Sequence, residues 1–195
     1  VWEGAVAKGY AGGTGSAEDP YLIETANQLA YLVKHDIIDL GGNNSSNTMG
    51  KYYKLAADIY LNNVADPDWK MHAPNSWYSS GSSARFGGNL DGDGYTIYGL
   101  YYDGEGAAGL ISYADIWSYD ITIKNVSLSD SYIKTTSQFA GGLIAYVYGT
   151  NSAGRTLTVE GCFVDDNVTV WSTNAEGYAG GLVGCLRSNA SNHYT

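Results

Sequence analysis

A six-residue phrase returns three times in the second half of the chain. It reads Ala108-Gly109-Leu110-Ile111-Ser112-Tyr113, then Gly141-Gly142-Leu143-Ile144-Ala145-Tyr146, then Gly180-Gly181-Leu182-Val183-Gly184-Cys185. Leu110 and Leu143 stand 33 residues apart, and Leu143 and Leu182 stand 39 apart. A short strand after small residues, recurring at a nearly fixed stride, marks a chain that winds into stacked coils instead of closing into one globule.

A second phrase precedes each copy: Tyr95-Thr96-Ile97-Tyr98-Gly99-Leu100, Ile121-Thr122-Ile123-Lys124-Asn125-Val126 and Leu157-Thr158-Val159-Glu160-Gly161-Cys162. Odd and even positions of each can face opposite sides of a sheet. The fifth position is Gly99, Asn125 or Gly161, residues that tolerate a left-handed backbone, which predicts a corner there. A third element, Ser131-Tyr132-Ile133-Lys134 and Asn167-Val168-Thr169-Val170, lies between the phrases at a spacing of 36. Three short strands and three corners per repeat describe one coil of a parallel β-helix. The unequal strides imply loops of different length at the corners. A sandwich of hairpins is the competing fold, but hairpins favour tight two-residue turns and these segments are joined by variable loops.

The first 50 residues follow another pattern. Thr25 reads as a helix N-cap with Gln28 closing a capping box. Leu29, Leu32, Val33 and Ile37 then form one apolar face. An amphipathic helix before a solenoid serves as a lid over the first coil. The expected organisation is therefore an N-terminal cap over residues 1–50 and coils over residues 51–195. Gly41 to Thr48 reads as a polar loop, and Asn62 to Ala84 as a segment looping out of the coil. Leu186 to Thr195 carries no lid signature, so the last coil is expected to be open, with further coils, further domains or a partner beyond Thr195.

Lys plus Arg number 10 against 20 Asp plus Glu, a formal charge of -10, with no local basic cluster. That argues against nucleic acid or an anionic membrane surface as a partner. No apolar run is long enough to insert into a bilayer, and Val1-Trp2-Glu3-Gly4 does not read as a signal peptide. Low charge with abundant Tyr, Ser, Thr, Asn and Gly is typical of extracellular β proteins. Cys162 and Cys185 fall where the preceding repeat has Val126 and Tyr146. Buried free thiols are the favoured reading, with a disulfide left open. Two Cys and three scattered His make no metal-site spacing.

Candidate chemistry is sparse. Asp91-Gly92-Asp93-Gly94 alternates in the way of a calcium loop, which makes Asp91 and Asp93 calcium candidates, but Tyr102 stands where such a loop needs its closing Glu. The competing reading is a glycine-rich turn. Asp165-Asp166 invites comparison with the acid–base pairs of β-helical polysaccharide hydrolases, yet no supporting His or basic cluster accompanies it. No nucleophile elbow, zinc-binding helix or phosphate loop occurs. The remaining candidate is aromatic: Trp69, Trp77 and Tyr78 lie among Pro, Ser and Gly, where exposed rings would stack on sugars or fill pockets on a protein partner. The alternative is that at least one Trp folds back onto the coil.

The set Gly13-Thr14-Gly15-Ser16, Asp19-Pro20-Tyr21-Leu22-Ile23, Gln28-Leu29-Ala30-Tyr31-Leu32, Gly50 to Leu55, Ala57-Asp58-Ile59, Leu90 to Ile97 and the Gly-Gly-Leu phrases resembles bacterial surface proteins that carry GLUG repeats. These include adhesin-like proteins and the non-catalytic parts of immunoglobulin A peptidases. The resemblance implies a right-handed β-helix, secretion or display on the cell surface, and a role in adhesion or presentation. With the aromatic loop, the expected partner is a host or matrix glycan or protein contacted through corner loops, a carbohydrate-binding or adhesin-like role. It implies no catalytic site. The chain departs from the pattern between Asp68 and Phe86, where the segment is longer. The expectation is a non-enzymatic adhesion, binding or display module. A carbohydrate-active enzyme on the same fold, or a stalk with no ligand, are the alternatives.

Overall fold

The computed structural model describes residues 1–40, 47–72, 74–116, 119–149, 154–188 and 193–194. Its strands fall into successive coils. β1 (Tyr21–Ile23) belongs to the first, β2 (Tyr52–Leu55) and β3 (Ile59–Tyr60) to the second. The third holds β4 (Asn89–Asp91), β5 (Thr96–Tyr98), β6 (Tyr101–Gly104) and β7 (Ile111–Asp115). The fourth holds β8 (Ile121–Lys124), β9 (Ser127–Ser129), β10 (Tyr132–Thr135), β11 (Phe139–Gly141) and β12 (Ile144–Gly149). The fifth holds β13 (Thr156–Glu160), β14 (Phe163–Val164), β15 (Thr169–Ser172), β16 (Tyr178–Gly180) and β17 (Val183–Ser188), and β18 (His193–Tyr194) follows. Hydrogen bonds run between coils. One sheet has the order β1-β2-β4-β8-β13-β18, and the others are β3-β5-β9-β14, β6-β10-β15, β11-β16 and β7-β12-β17. Every ladder is parallel. This is a parallel β-helix, and parallel crossovers of this kind are right-handed.

The core is a set of like-on-like columns. Ile59, Ile97, Leu128 and Val164 stack through one sheet, and Tyr53, Leu90, Ile123 and Val159 through another. Alternation puts the residues between them outside. The repeated Gly-Gly-Leu phrase behaves as expected: Ile144 pairs with Ile111 below and Val183 above, which sets Leu110, Leu143 and Leu182 in one column. Its glycines answer to crowding. A Cβ on Gly142 would lie 2.1 Å from the Gly181 carbonyl oxygen of the next coil.

Two repeat alignments change. Asn125 and Gly161 do share a corner, both at positive φ (54° and 59°). Gly99 is also left-handed (φ 71°), but its amide donates to the Ser129 carbonyl, one corner further along. The segment Tyr95–Leu100 therefore matches Ser127–Ser129 and not Ile121–Val126; the true counterpart of the latter is Leu90–Asp91. Similarly, Tyr132 pairs with Thr169, a spacing of 37, so Asp165-Asp166-Asn167 holds one more residue than the sequence spacing allowed. A one-residue slip exchanges the inner and outer faces of a strand.

The cap forms as the capping residues predict. The Gln28 amide donates to Thr25 Oγ1 at 3.3 Å and the Thr25 amide donates to Gln28 Oε1 at 3.2 Å, starting α1 (Ala26–Ala30). From Tyr31 to Asp39 the helix widens to π geometry, as in the Leu40 amide bonding the His35 carbonyl. The wider turn brings Asp36 inside with Leu32, Val33 and Ile37, where its Oδ2 accepts from the Tyr10 hydroxyl at 2.6 Å. β1 lies within the first 50 residues yet pairs with β2, so the stacking begins beneath the lid. Of the loop expected over Gly41 to Thr48, residues 41–46 lie outside the described residues.

The segment Asn62 to Ala84 does not simply loop out. Trp69–Met71 forms a 3-10 turn, and the base of the excursion is clipped where the Asn62 side chain donates to the Gly99 and Asn75 carbonyls. Beyond it the chain returns to the stack. The Trp77 amide donates to the Tyr101 carbonyl, Ser79 Oγ to the Ala107 carbonyl, and the Phe86 amide to the Tyr113 carbonyl. Residues 77–86 thus supply the second coil's level beside β6 and β7 without forming regular strands.

Candidate functional site

The outward face of the sheet containing β2, β4 and β8 carries a cleft of about 330 Å³. Three consecutive coils build its floor. Tyr52 faces Asn89, whose Oδ1 accepts from the Thr122 amide at 2.9 Å. Beside this uncharged row runs a charged one, in which Lys54 pairs in register with Asp91, Asp91 with Lys124, and Lys124 with Glu160. Ala17 and Pro20 of the N-terminal loop and Asp120 complete the lining. Tyr52 is 37% exposed, so its ring is accessible from the cleft. The site thus offers one accessible ring, a row of amide and hydroxyl groups, and charges of both signs.

The charges hold one another. Lys124 Nζ lies 3.2 Å from Asp91 Oδ2, and Lys54 Nζ 3.0 Å from Asp93 Oδ2. Asp91 Oδ1 accepts from the Asp93 amide at 2.9 Å and from the Asn125 side-chain amide at 3.2 Å. Partial burial pushes the Asp91 carboxyl up, but the Asp93 amide, the Asn125 amide and the Lys124 ammonium outweigh it and hold it below the ordinary carboxylate range. A lowered folded-state pKa stabilises the chain above the unfolded pKa of about 3.9, and the contribution is lost as pH falls through the folded value. The stability difference between wild type and Asp91→Asn is therefore expected to be constant from neutral pH to about pH 4 and to shrink below it. Denaturant melts across that range read this directly; a difference that shrank on going from pH 5 to pH 8 would contradict the assignment.

These contacts also place the calcium candidates. Asp91 and Asp93 sit on a tight turn with Asp93 at φ 50°, and each carboxylate faces a lysine ammonium where a cation would have to stand. Among the described residues, no group of three or more His, Cys, Asp or Glu is placed to hold a metal ion.

The aromatic candidates move inward. Trp77 is 3% exposed; its Nε1 donates to the Leu110 carbonyl at 3.0 Å and its ring meets Trp2 edge-on at 5.4 Å. Trp69 is 7% exposed, edge-on to Tyr101. Tyr78 is half-buried against Trp2. Trp69 and Trp77 are therefore core and offer no free ring face, because the segment rejoins the stack. Among the described residues, the exposed tryptophan is Trp171 (51%), on β15 beside Lys134. Asp165 forms a turn, accepting from the Asn167 amide and the Ser129 hydroxyl. Cys162 and Cys185 are free and half-buried, and burial raises both thiol pKa values.

Tyr52, Lys54, Asn89, Thr122 and Lys124 were not singled out by sequence. Their signal is weak: outward positions at period two, recurring at strides of 37 and 33.

Fold and cleft together define a parallel β-helical solenoid segment with a polar cleft on one outward sheet. No protein-family model matches the chain. A candidate Gly-rich membrane protein of Evansella cellulosilytica is 32% identical over 150 residues, covering 73% of this chain and 14% of that protein. Halomucin of Haloquadratum walsbyi is 30% identical over 180 residues, covering 91% of this chain and 2% of its own length. The chain thus spans a small fraction of either relative. The crystal structure of a candidate immunoglobulin A1 protease from Bacteroides ovatus matches 95% of this chain and 58% of its own with a TM-score of 0.59 at 19% identity, a likeness of fold alone.

Proposed function

We propose that the chain is a non-catalytic, stiff segment of a longer cell-surface or secreted protein, and that its outward cleft binds glycan. The cleft carries the reading: an accessible Tyr52 ring beside Asn89, Thr122 and paired charges is the combination that stacks on a sugar face and bonds its hydroxyls. Surface location draws support from the relatives, a candidate membrane protein and a halomucin, and from the resemblance to GLUG-repeat surface proteins. No helix among the described residues is long and apolar enough to cross a membrane. Stiffness follows from stacked, in-register coils, whose side chains contact only neighbouring levels. Adhesion to a host or matrix surface would be the consequence of glycan binding on such a rod.

The test is a glycan array followed by calorimetric titration. Tyr52→Ala is expected to weaken binding about tenfold, the equivalent of about 1.4 kcal/mol, without changing the thermal transition. Absence of binding to every glycan on the array would leave a display segment with no ligand of its own. Release of reducing ends from a polysaccharide panel would overturn the non-catalytic reading.

A further inference from the structure

We infer that the cleft selects uncharged glycans over acidic ones; this rests on the glycan reading above. Its lining contains two lysines, Lys54 and Lys124, and two aspartates, Asp91 and Asp120. Two further carboxylates stand at its edge: Asp93, which holds Lys54 at 3.0 Å, and Glu160, in register beside Lys124. Both ammonium groups are thereby committed to carboxylates of the chain itself, and the surplus is negative. The formal charge of the chain, -10, has the same sign.

A uronate or sulfate entering the cleft would have to displace Asp91 or Asp93 from its lysine. It would also approach a surface of its own sign, and like charges brought together at an interface discriminate against a partner. An uncharged sugar meets neither obstacle. Its hydroxyls can donate to and accept from the Asn89 and Thr122 side chains while the ion pairs stay intact, and its apolar face can lie on Tyr52. The ion pairs then act as fixed walls that orient hydroxyls, and they contribute no net attraction for an anion. Asp120 adds a further acceptor; its Oδ1 already takes the Thr156 amide at 2.8 Å.

Cello-oligosaccharide and oligogalacturonate of equal length, titrated into the chain at low and high salt, test this. The uncharged oligomer should bind at least tenfold more tightly, with affinity insensitive to salt. Asp91→Asn, which frees Lys124 from its partner, should narrow the gap by strengthening oligogalacturonate binding at low salt. Asp120→Asn removes a negative charge while its side-chain oxygen can keep the Thr156 bond, so it serves the same purpose should Asp91→Asn fail to fold. Tighter binding of oligogalacturonate to the wild type, lost in high salt, would overturn the inference and leave glycan binding standing. Failure of both oligomers to bind, with no other glycan bound on the array, would instead overturn the glycan reading. Unchanged oligogalacturonate affinity in both variants would show that the cleft carboxylates do not set the preference and would overturn the inference.

Discussion

Trp77→Ala is expected to destabilise the chain by about 3–5 kcal/mol, the usual cost of deleting a large aromatic ring from a packed interior. Three losses combine. The ring is almost wholly buried, so its transfer free energy is lost and a cavity replaces it. The Leu110 carbonyl loses the indole N–H that bonds it at 3.0 Å, in a buried setting. The ring contacts to Trp2, edge-on, and to Tyr78, tilted, at 5.4 Å each, go as well. Trp2 is itself tied into the second coil through its amide to the Tyr60 carbonyl. Urea denaturation followed by circular dichroism would measure the change. Trp77→Phe, which keeps a ring but not the N–H, should recover part of the loss. A Trp77→Ala protein as stable as wild type but weakened in glycan binding would mean that this ring is presented to ligand after all.

Gly142→Ala is expected to cost about 3 kcal/mol or more, at the upper end of what overpacking costs, because the obstacle is backbone. The added methyl would lie 2.1 Å from the Gly181 carbonyl oxygen and 3.2 Å from a methyl group of Val164. Neither the ladder bond nor the next coil can move aside without breaking the register at that corner; the Gly142 amide donates to Gly181 at 2.9 Å. Gly181→Ala is the internal control. It occupies the same place in the phrase one coil later, yet a Cβ there meets nothing within 4 Å. Its substitution should change stability by less than about 0.5 kcal/mol. Equal effects at the two positions would show that the close approach between coils is not what demands glycine.

The contrast between these glycines shows how far a repeat can be read. The identity of the phrase was visible in both copies and pointed to stacked coils and a Leu110–Leu143–Leu182 column, while Thr25 and Gln28 separately pointed to the helix cap. All three are local or periodic features: a capping box is decided within four residues, and a column within one stride. Gly142 and Gly181 differ in consequence because a described coil packs on the first, while no described atom lies within 4 Å of a Cβ on the second. Sequence identity at the two sites cannot express that.

Where the reading failed, a non-local choice intervened. Gly99 and Asn125 both announce a left-handed corner, but nothing in either tripeptide says which corner of the coil it is. Hydrogen bonding to Ser129 in one case and Glu160 in the other decides it. Trp69 and Trp77 lie in a stretch rich in Pro, Ser and Gly, the composition of an exposed loop. They are buried because residues 77–86 rejoin the stack as an irregular level of the second coil, held by bonds to Tyr101 and Tyr113. The cleft has the same origin. Lys54, Asn89 and Lys124 carry no motif, and Asp91 only that of a glycine-rich turn, until the register sets them side by side.

The amino-acid sequence by itself determined the coiled architecture, the capping helix and the acidic character of the chain. Those follow from periodicity, capping and net charge, which short windows and simple sums contain. Only the tertiary structure decided which aromatics are core, which corner each left-handed residue turns, and which outward side chains meet in a cleft. In a parallel coil every ladder contact joins residues more than thirty positions apart, and a one-residue change in loop length moves the neighbour by one register position.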